Sequence, residues 1–264
     1  MLGTWARSFH RIRKKVAWML YQRRDLQSAA AFHATSQQEA CEIRSLGFTQ
    51  PTLTIPNAIE CPSQMPGRSH RGGHRMLFLS RIHPKKGLLT LINAWKQASV
   101  PHDWRLAIAG PDENGHQHEV WSRAKDLGIA EQIDFLGPVM GPAKWQLYVD
   151  SDVFVLPSYN ENFGLVIAEA MAAGLPVITT TATPWDVLRE KHLGWCVYPR
   201  VPDLVTALHA AISLSDSERA AMGAKAAHEV APYCSWQSVA RQMAEYYHTL
   251  LEESPCTGAT SRAR

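Results

Sequence analysis

The sequence predicts a doubly wound α/β fold, a parallel sheet covered by helices on both faces. Three observations predict it. From Met76 onward, short apolar or β-branched runs (MLFLSRI, RLAIAG, IDFLG, VFVLPS, PVITT, GWCVY) alternate with longer helical patterns (GLLTLINAWKQA, HEVWSRAKDLG, AKWQLYVDSD, FGLVIAEAMAAG, WDVLREK). That alternation is the order of βαβ units. Runs such as VFVLP are apolar at every position, which marks burial on both faces and therefore a parallel sheet with right-handed crossovers. Finally, 264 residues that are 45% hydrophobic and 19% charged can bury a substantial core and do not read as disordered.

The elements follow in order. Trp5, Phe9, Ile12, Val16 and Leu20 recur at three- and four-residue intervals with Arg11, Arg13, Lys14 and Lys15 largely between them, the pattern of a basic amphipathic helix. Seven basic residues, Arg7, Arg11, Arg13, Lys14, Lys15, Arg23 and Arg24, precede the first acid, Asp25. A strand near AFHATS, a helix over SQQEACEIRSLG and a strand near TLTIPN complete residues 1–59. Four elements are too few for a sheet of ordinary width with two helical layers, so this partial segment is expected to be the end of a domain that begins elsewhere. Residues 60–75, rich in Pro, Gly and Ser, read as a linker. Residues 76–232 then form a Rossmann-like sheet domain. Further helical stretches fall at 203–214, 216–230 and 235–253, with Pro232 dividing the last two, and 254–264 reads as a frayed tail.

Composition narrows the function classes. The net charge is only +3, and the basic excess is confined to the amino terminus. The five cysteines are widely spaced and never form C-x-x-C, which argues against a disulfide framework or a zinc site. There is no apolar run of about 18 residues to span a bilayer and no signal-peptide pattern, so the cytosol is the expected location. No nucleic-acid motif is present. The first βα turn reads RIHPKKG rather than G-x-G-x-x-G, which disfavours a dinucleotide-dependent dehydrogenase.

The candidate site lies where strands of the sheet end. Pro157-Ser158-Tyr159-Asn160-Glu161-Asn162-Phe163-Gly164 connects a buried strand to a helix expected near Phe163 and stopped by Gly174. In open α/β sheets, ligands bind beyond the carboxyl ends of the strands, and a helix start there offers N–H groups to an anion. Glu161 and Glu169 are eight positions apart, a span of at most about 12 Å along a helix. One carboxylate could then meet a sugar and the other a ribose, since a carboxylate accepts hydrogen bonds from vicinal hydroxyls. By spacing alone the same pair reads equally as a turn residue and a solvated helix residue. Arg81 and Lys86 flank a second loop at this edge, where fixed cations balance phosphates without a metal. His83 between them reads as a loop residue.

Together, SRIHPKKG, LAIAGPDENG, IDFLGPV, SDVFVLPSYNENFGLVIAEAMAAGLPVI and CSWQSVARQMAEYYHTLL resemble glycosyltransferase family 4, retaining enzymes of the two-domain GT-B fold. The resemblance covers about residues 30–250 and rests most heavily on the E-x7-E stretch. It implies that 76–232 is the carboxy-terminal, donor-binding half of that fold, that 1–59 is a remnant of the acceptor-side domain, and that 233–253 is a closing helix packing back toward it. It also implies residue roles. Arg81 and Lys86 hold the donor diphosphate. Glu161 faces the donor sugar as the catalytic carboxylate, with Asn162, Phe163, Gly164 and Leu165 contacting sugar and phosphate. Glu169 holds the ribose hydroxyls, and Pro138, Val139 and Met140 meet the base. No metal or other cofactor is implied.

From this follows the expectation of a hexosyltransferase that moves a sugar from a nucleoside-diphosphate donor to a glycan or lipid-linked acceptor with retention, in cell-surface polysaccharide or lipopolysaccharide synthesis. The alternative is a donor-binding subunit that needs a partner chain to supply the rest of the first domain. Residues 5–24 could meet an anionic membrane surface, placing the chain at the inner face of the membrane, or could pack on protein instead.

Overall fold

The computed structural model describes residues 18–70 and 72–253. Trp5, Phe9, Ile12 and Val16 of the expected basic helix, the Leu20 side chain and the tail 254–264 lie outside the described residues. The chain divides into two compact units, Met1–Ala58 with Ser235–Arg264, and Ile59–Cys234.

In the first unit a π-helical turn, Trp18–Gln22, runs into α1 (Arg23–Gln27), followed by β1 (Phe32–Ala34), α2 (Gln37–Ser45) and β2 (Thr52–Thr54). Strands β1 and β2 pair in parallel, Phe32 opposite Thr52. Ser36 and Glu39 explain where α2 starts. The Ser36 hydroxyl accepts from the Glu39 N–H at 3.1 Å, and the Glu39 carboxylate accepts from the Thr35 N–H at 2.8 Å, which satisfies orphan donors at the helix start. Phe32, Ala34, Ala40, Ile43 and Phe48 form the buried cluster beneath. The last helix, α10 (Trp236–Glu253), groups with this unit, and its Tyr246 hydroxyl donates to the Pro51 carbonyl at 3.4 Å.

The second unit is the expected sheet. Its elements are β3 (His74–Leu79), α3 (Leu88–Gln97), β4 (Trp104–Ala109), α4 (His116–Asp126), β5 (Ile133–Gly137), α5 (Pro142–Val149), β6 (Val153–Leu156), α6 (Leu165–Ala172), β7 (Val177–Thr180), α7 (Val187–Glu190), β8 (Gly194–Val197), α8 (Val201–Ser213) and α9 (Asp216–Cys234). Six parallel strands lie in the order β5-β4-β3-β6-β7-β8. All four residues of β6 and of β7 are buried, β6 as its unbroken apolar run requires, and β7 with the Thr179 and Thr180 hydroxyls donating to the Leu156 and Ser158 carbonyls. Helix α3 packs against α4 and α8, and α6 against α9, so each face of the sheet is covered.

The strand order sets the switch point. β3 and β6 are neighbours at mid-sheet, Met76 opposite Val153 and Leu77 opposite Phe154, yet the chain leaves them toward opposite edges. The carboxyl ends of β3 and β6 are therefore the topological switch point of the sheet, the place where such sheets bind ligands.

Two stretches differ from the sequence expectation. Helix α9 runs through Pro232 to Cys234 rather than ending before it. The proline falls in the last turn, where the lost donor costs a single hydrogen bond. Within 60–75, Ile59 just ahead is buried and Met65 packs on the core, while Arg68 pairs with Asp152 at 2.7 Å and the Arg75 N–H donates to Asp152 at 2.7 Å. Polar side chains that do not figure in an apolar count thus tie this stretch to the sheet.

Asp150 is the second tie. Its carboxylate accepts from the Ser69 N–H at 2.6 Å, the Ser69 hydroxyl at 2.7 Å and the His70 N–H at 2.9 Å. Burial pushes this carboxyl up, but the donors from Ser69, His70 and Gln146 outweigh it and hold the pKa at about 2. The folded pKa is depressed, so the stabilisation is present above the unfolded value near 4 and is lost as pH falls through about 2. Acid titration of the melting temperature should show a loss of about 2 kcal/mol between these limits, and Asp150→Asn should remove most of it.

Candidate functional site

The loop after β3 turns inward at Lys86 because Gly87 follows it. Gly87 has φ 75°, and a Cβ there would lie 2.1 Å from the Pro157 carbonyl oxygen. Only glycine lets the β3–α3 loop approach the β6–α6 loop so closely. The Tyr159 N–H donates to the Lys85 carbonyl at 2.9 Å, and the Tyr159 and Thr90 hydroxyls are hydrogen-bonded, which closes the same seam.

Lys86 is buried to 7% exposure, and its ammonium pairs with the Glu161 carboxylate. The same Glu161 oxygen accepts from the Ser158 hydroxyl at 2.8 Å, and the Glu161 N–H donates to the Ala182 carbonyl at 3.0 Å. Glu161 is thus fixed from both sides, by the loop after β3 and by the loop after β7. Phe163 is buried against Trp185, ring centroids 5.3 Å apart, and Trp185 Nε1 donates to the Phe163 carbonyl at 2.5 Å. Helix α6 begins at Leu165, two residues beyond the expected Phe163. The reason is Gly164, whose φ of 81° and ψ of 63° make it a left-handed cap without a side-chain hydrogen bond. The first N–H groups of an uncapped helix are open to a ligand.

Glu169 lies one turn into α6. Its carboxylate accepts from Lys144 Nζ at 2.7 Å and from the Tyr148 hydroxyl at 2.9 Å. The loop 138–140 precedes α5, with Val139 packed on the core and Met140 84% exposed. Leu165 is 42% exposed at the helix start.

The sequence-predicted residues are therefore placed unequally. Lys86 and Glu161 are brought into contact ahead of α6, and Glu169 lies one turn into that helix. Arg81 is turned elsewhere: its Nη1 donates to both carboxylate oxygens of Glu113, at 2.9 and 3.1 Å, with the side chain 57% exposed. His83 Nδ1 accepts from the Lys85 N–H at 3.0 Å, a loop-capping position, and burial pushes its pKa down. Lys144, Tyr148, Ser158 and Trp185, which support the two acids and their loop, were not singled out by the sequence. One signal was available, since Lys144 and Tyr148 are four apart and so share a helix face.

A cavity of about 520 Å³ lies at the opposite, amino-terminal edge of the strands, beside His74, Asp152, Asp216 and Arg219. Its charges are already matched, Asp152 by Arg68 and Asp216 by Arg219. The carboxyl-terminal end of the sheet is the better candidate, because there the Lys86–Glu161 pair lies just ahead of the start of α6, with Glu169 one turn along that helix.

A family model described as Glycosyl transferases group 1 matches residues 68–229. A D-inositol 3-phosphate glycosyltransferase of Corynebacterium kroppenstedtii is 32% identical over 186 residues, 67% of this chain and 41% of the relative. Two solved structures are similar in fold. Sucrose-phosphate synthase of Thermosynechococcus elongatus superposes with a TM-score of 0.80 at 21% identity, over 96% of this chain and 67% of that one. Anabaena HepE, solved with UDP and glucose, gives 0.75 at 22% identity, over 94% and 69%. The chain spans about half the length of the curated relatives it matches.

Proposed function

Because the chain belongs to the Glycosyl transferases group 1 family, we propose that it binds a nucleoside-diphosphate sugar at the carboxyl ends of β3 and β6 and transfers the sugar, with retention, to a glycan or lipid-linked acceptor. The observation that carries this reading is the buried Lys86–Glu161 pair at the switch point beside the uncapped start of α6.

In this reading Lys86 and the α6 N–H groups take the diphosphate, whose negative charge grows as it leaves. Arg81 joins them by exchanging Glu113 for a phosphate, a move its exposure permits. Glu161 accepts hydrogen bonds from the donor sugar, Glu169 takes the ribose, and 138–140 the base. The anomeric carbon loses its bond to the diphosphate oxygen as it gains one to the acceptor oxygen on the same face. The acceptor proton goes to the leaving diphosphate. The protein's task is charge stabilisation and positioning, and the protein cations do it without a metal. The UDP bound by the HepE structure supports a uridine nucleotide as the first donor class to try.

The test is a panel of UDP-, GDP- and ADP-sugars with glycan and lipid-linked acceptors, followed by nucleoside diphosphate release and by the anomeric configuration of the product. Release with retained configuration is expected for one donor class. Tight nucleotide binding without turnover in any combination would favour the donor-binding subunit that relies on a partner chain. No binding of any nucleotide would sink both readings.

A further inference from the structure

Resting on the reading of Glu169 as the acid that grips the ribose, we infer that Lys144 is a positioning residue that fixes this acid and thereby sets the preference for ribose over deoxyribose. Three features of α5 carry it. Gly141, just before the helix, has φ 58° and ψ −141°, a combination glycine alone adopts without strain. It turns the chain from the 138–140 loop into α5 and aims the first turn across at α6. Lys144 and Tyr148, one turn apart, then meet Glu169 together, each on its own oxygen: Lys144 Nζ to Oε1 at 2.7 Å, the Tyr148 hydroxyl to Oε2 at 2.9 Å. The three side chains are enclosed, with Glu169 12% and Lys144 23% exposed and Tyr148 fully buried.

The chemistry follows from lone-pair counting. A carboxylate has about four acceptor sites, and the α5 side fills one on each oxygen. One remains on each for the two vicinal hydroxyls of a ribose, in an orientation the protein has already set. Burial, and then the Glu169 carboxylate beside it, push the Tyr148 phenol well above its ordinary pKa, so it stays a donor. Lys144 supplies the matching charge and is itself held by the Trp145 ring, 5.5 Å from its centroid. A deoxyribose lacks one of the hydroxyls and leaves an enclosed oxygen without its partner, a loss that a held site registers and a loose one does not.

The experiment is calorimetry with UDP, GDP or ADP, whichever binds the wild type most tightly, and with its 2′-deoxy counterpart. The wild type should prefer the ribonucleotide about tenfold or more. Lys144→Met should weaken ribonucleotide binding about tenfold, leave the deoxynucleotide nearly unchanged and bring the ratio close to one. Lys144→Arg should recover most of it, and Tyr148→Phe should lower the ratio about threefold. Should Lys144→Met not fold, the Tyr148→Phe ratio decides. If Glu169→Gln loses the discrimination while Lys144→Met keeps it, or if Lys144→Met weakens both nucleotides equally, the positioning role is overturned and Glu169 still stands as the ribose acid. If Glu169→Gln keeps the wild-type ratio, or no nucleotide discriminates, the ribose reading itself fails and takes this inference with it.

Discussion

Lys86→Ala is expected to lower nucleoside diphosphate affinity about a hundredfold, the largest loss of binding among single changes at the site. Two effects add. The diphosphate loses a charge-assisted contact worth about 1.5–3 kcal/mol. In addition, Glu161, 12% exposed and no longer paired, presents an uncompensated negative charge to an anionic ligand. Arg81→Ala should cost only a few-fold, because Arg81 is 57% exposed and must first give up Glu113. Titration of each variant with the nucleotide that binds the wild type checks both values. Equal losses for the two would show that the structure ranks the cations wrongly.

Gly87→Ala should lower stability by about 2–4 kcal/mol and nucleotide affinity with it. The left-handed backbone costs an alanine about 1 kcal/mol, and the new Cβ, 2.1 Å from the Pro157 oxygen, must push apart two loops that meet at their backbones. Overpacking of this kind costs about 1–3 kcal/mol. No flexible side chain is available to absorb the displacement, so the β3–α3 loop moves and carries Lys86 away from Glu161. A melting temperature lower by on the order of 10 °C is expected. Gly87→Ala with wild-type stability and binding would mean that the two loops are not held in this contact.

These two residues show what the sequence could and could not convey. The fold was legible because parallel strands buried on both faces leave unbroken apolar runs, as in VFVL of β6, and because each is followed by a helical period. The position of the site was legible as well, since a strand, a polar loop with Glu161 and a helix with Glu169 are local features. Contacts between elements far apart in sequence were not. Lys86 and Glu161 are both visible as site candidates, but nothing local says that they touch, whereas Arg81 reads the same as Lys86 and pairs with Glu113 instead. The start of α6 was misplaced by two residues because a glycine left-handed cap reads the same in sequence as a loop glycine. Residues 60–75 looked unpacked because their anchors, Arg68, Ser69 and His70, bind Asp150 and Asp152 through polar groups rather than apolar area.

In the reading proposed above, a diphosphate docks on Lys86 at the switch point of the sheet. Calorimetry comparing a nucleoside diphosphate with its parent nucleoside, on wild-type protein and on Lys86→Ala, tests it most directly. The wild type should strongly favour the diphosphate, and Lys86→Ala should erase most of that advantage while binding the nucleoside as before. A variant that keeps the full preference for the diphosphate would contradict it.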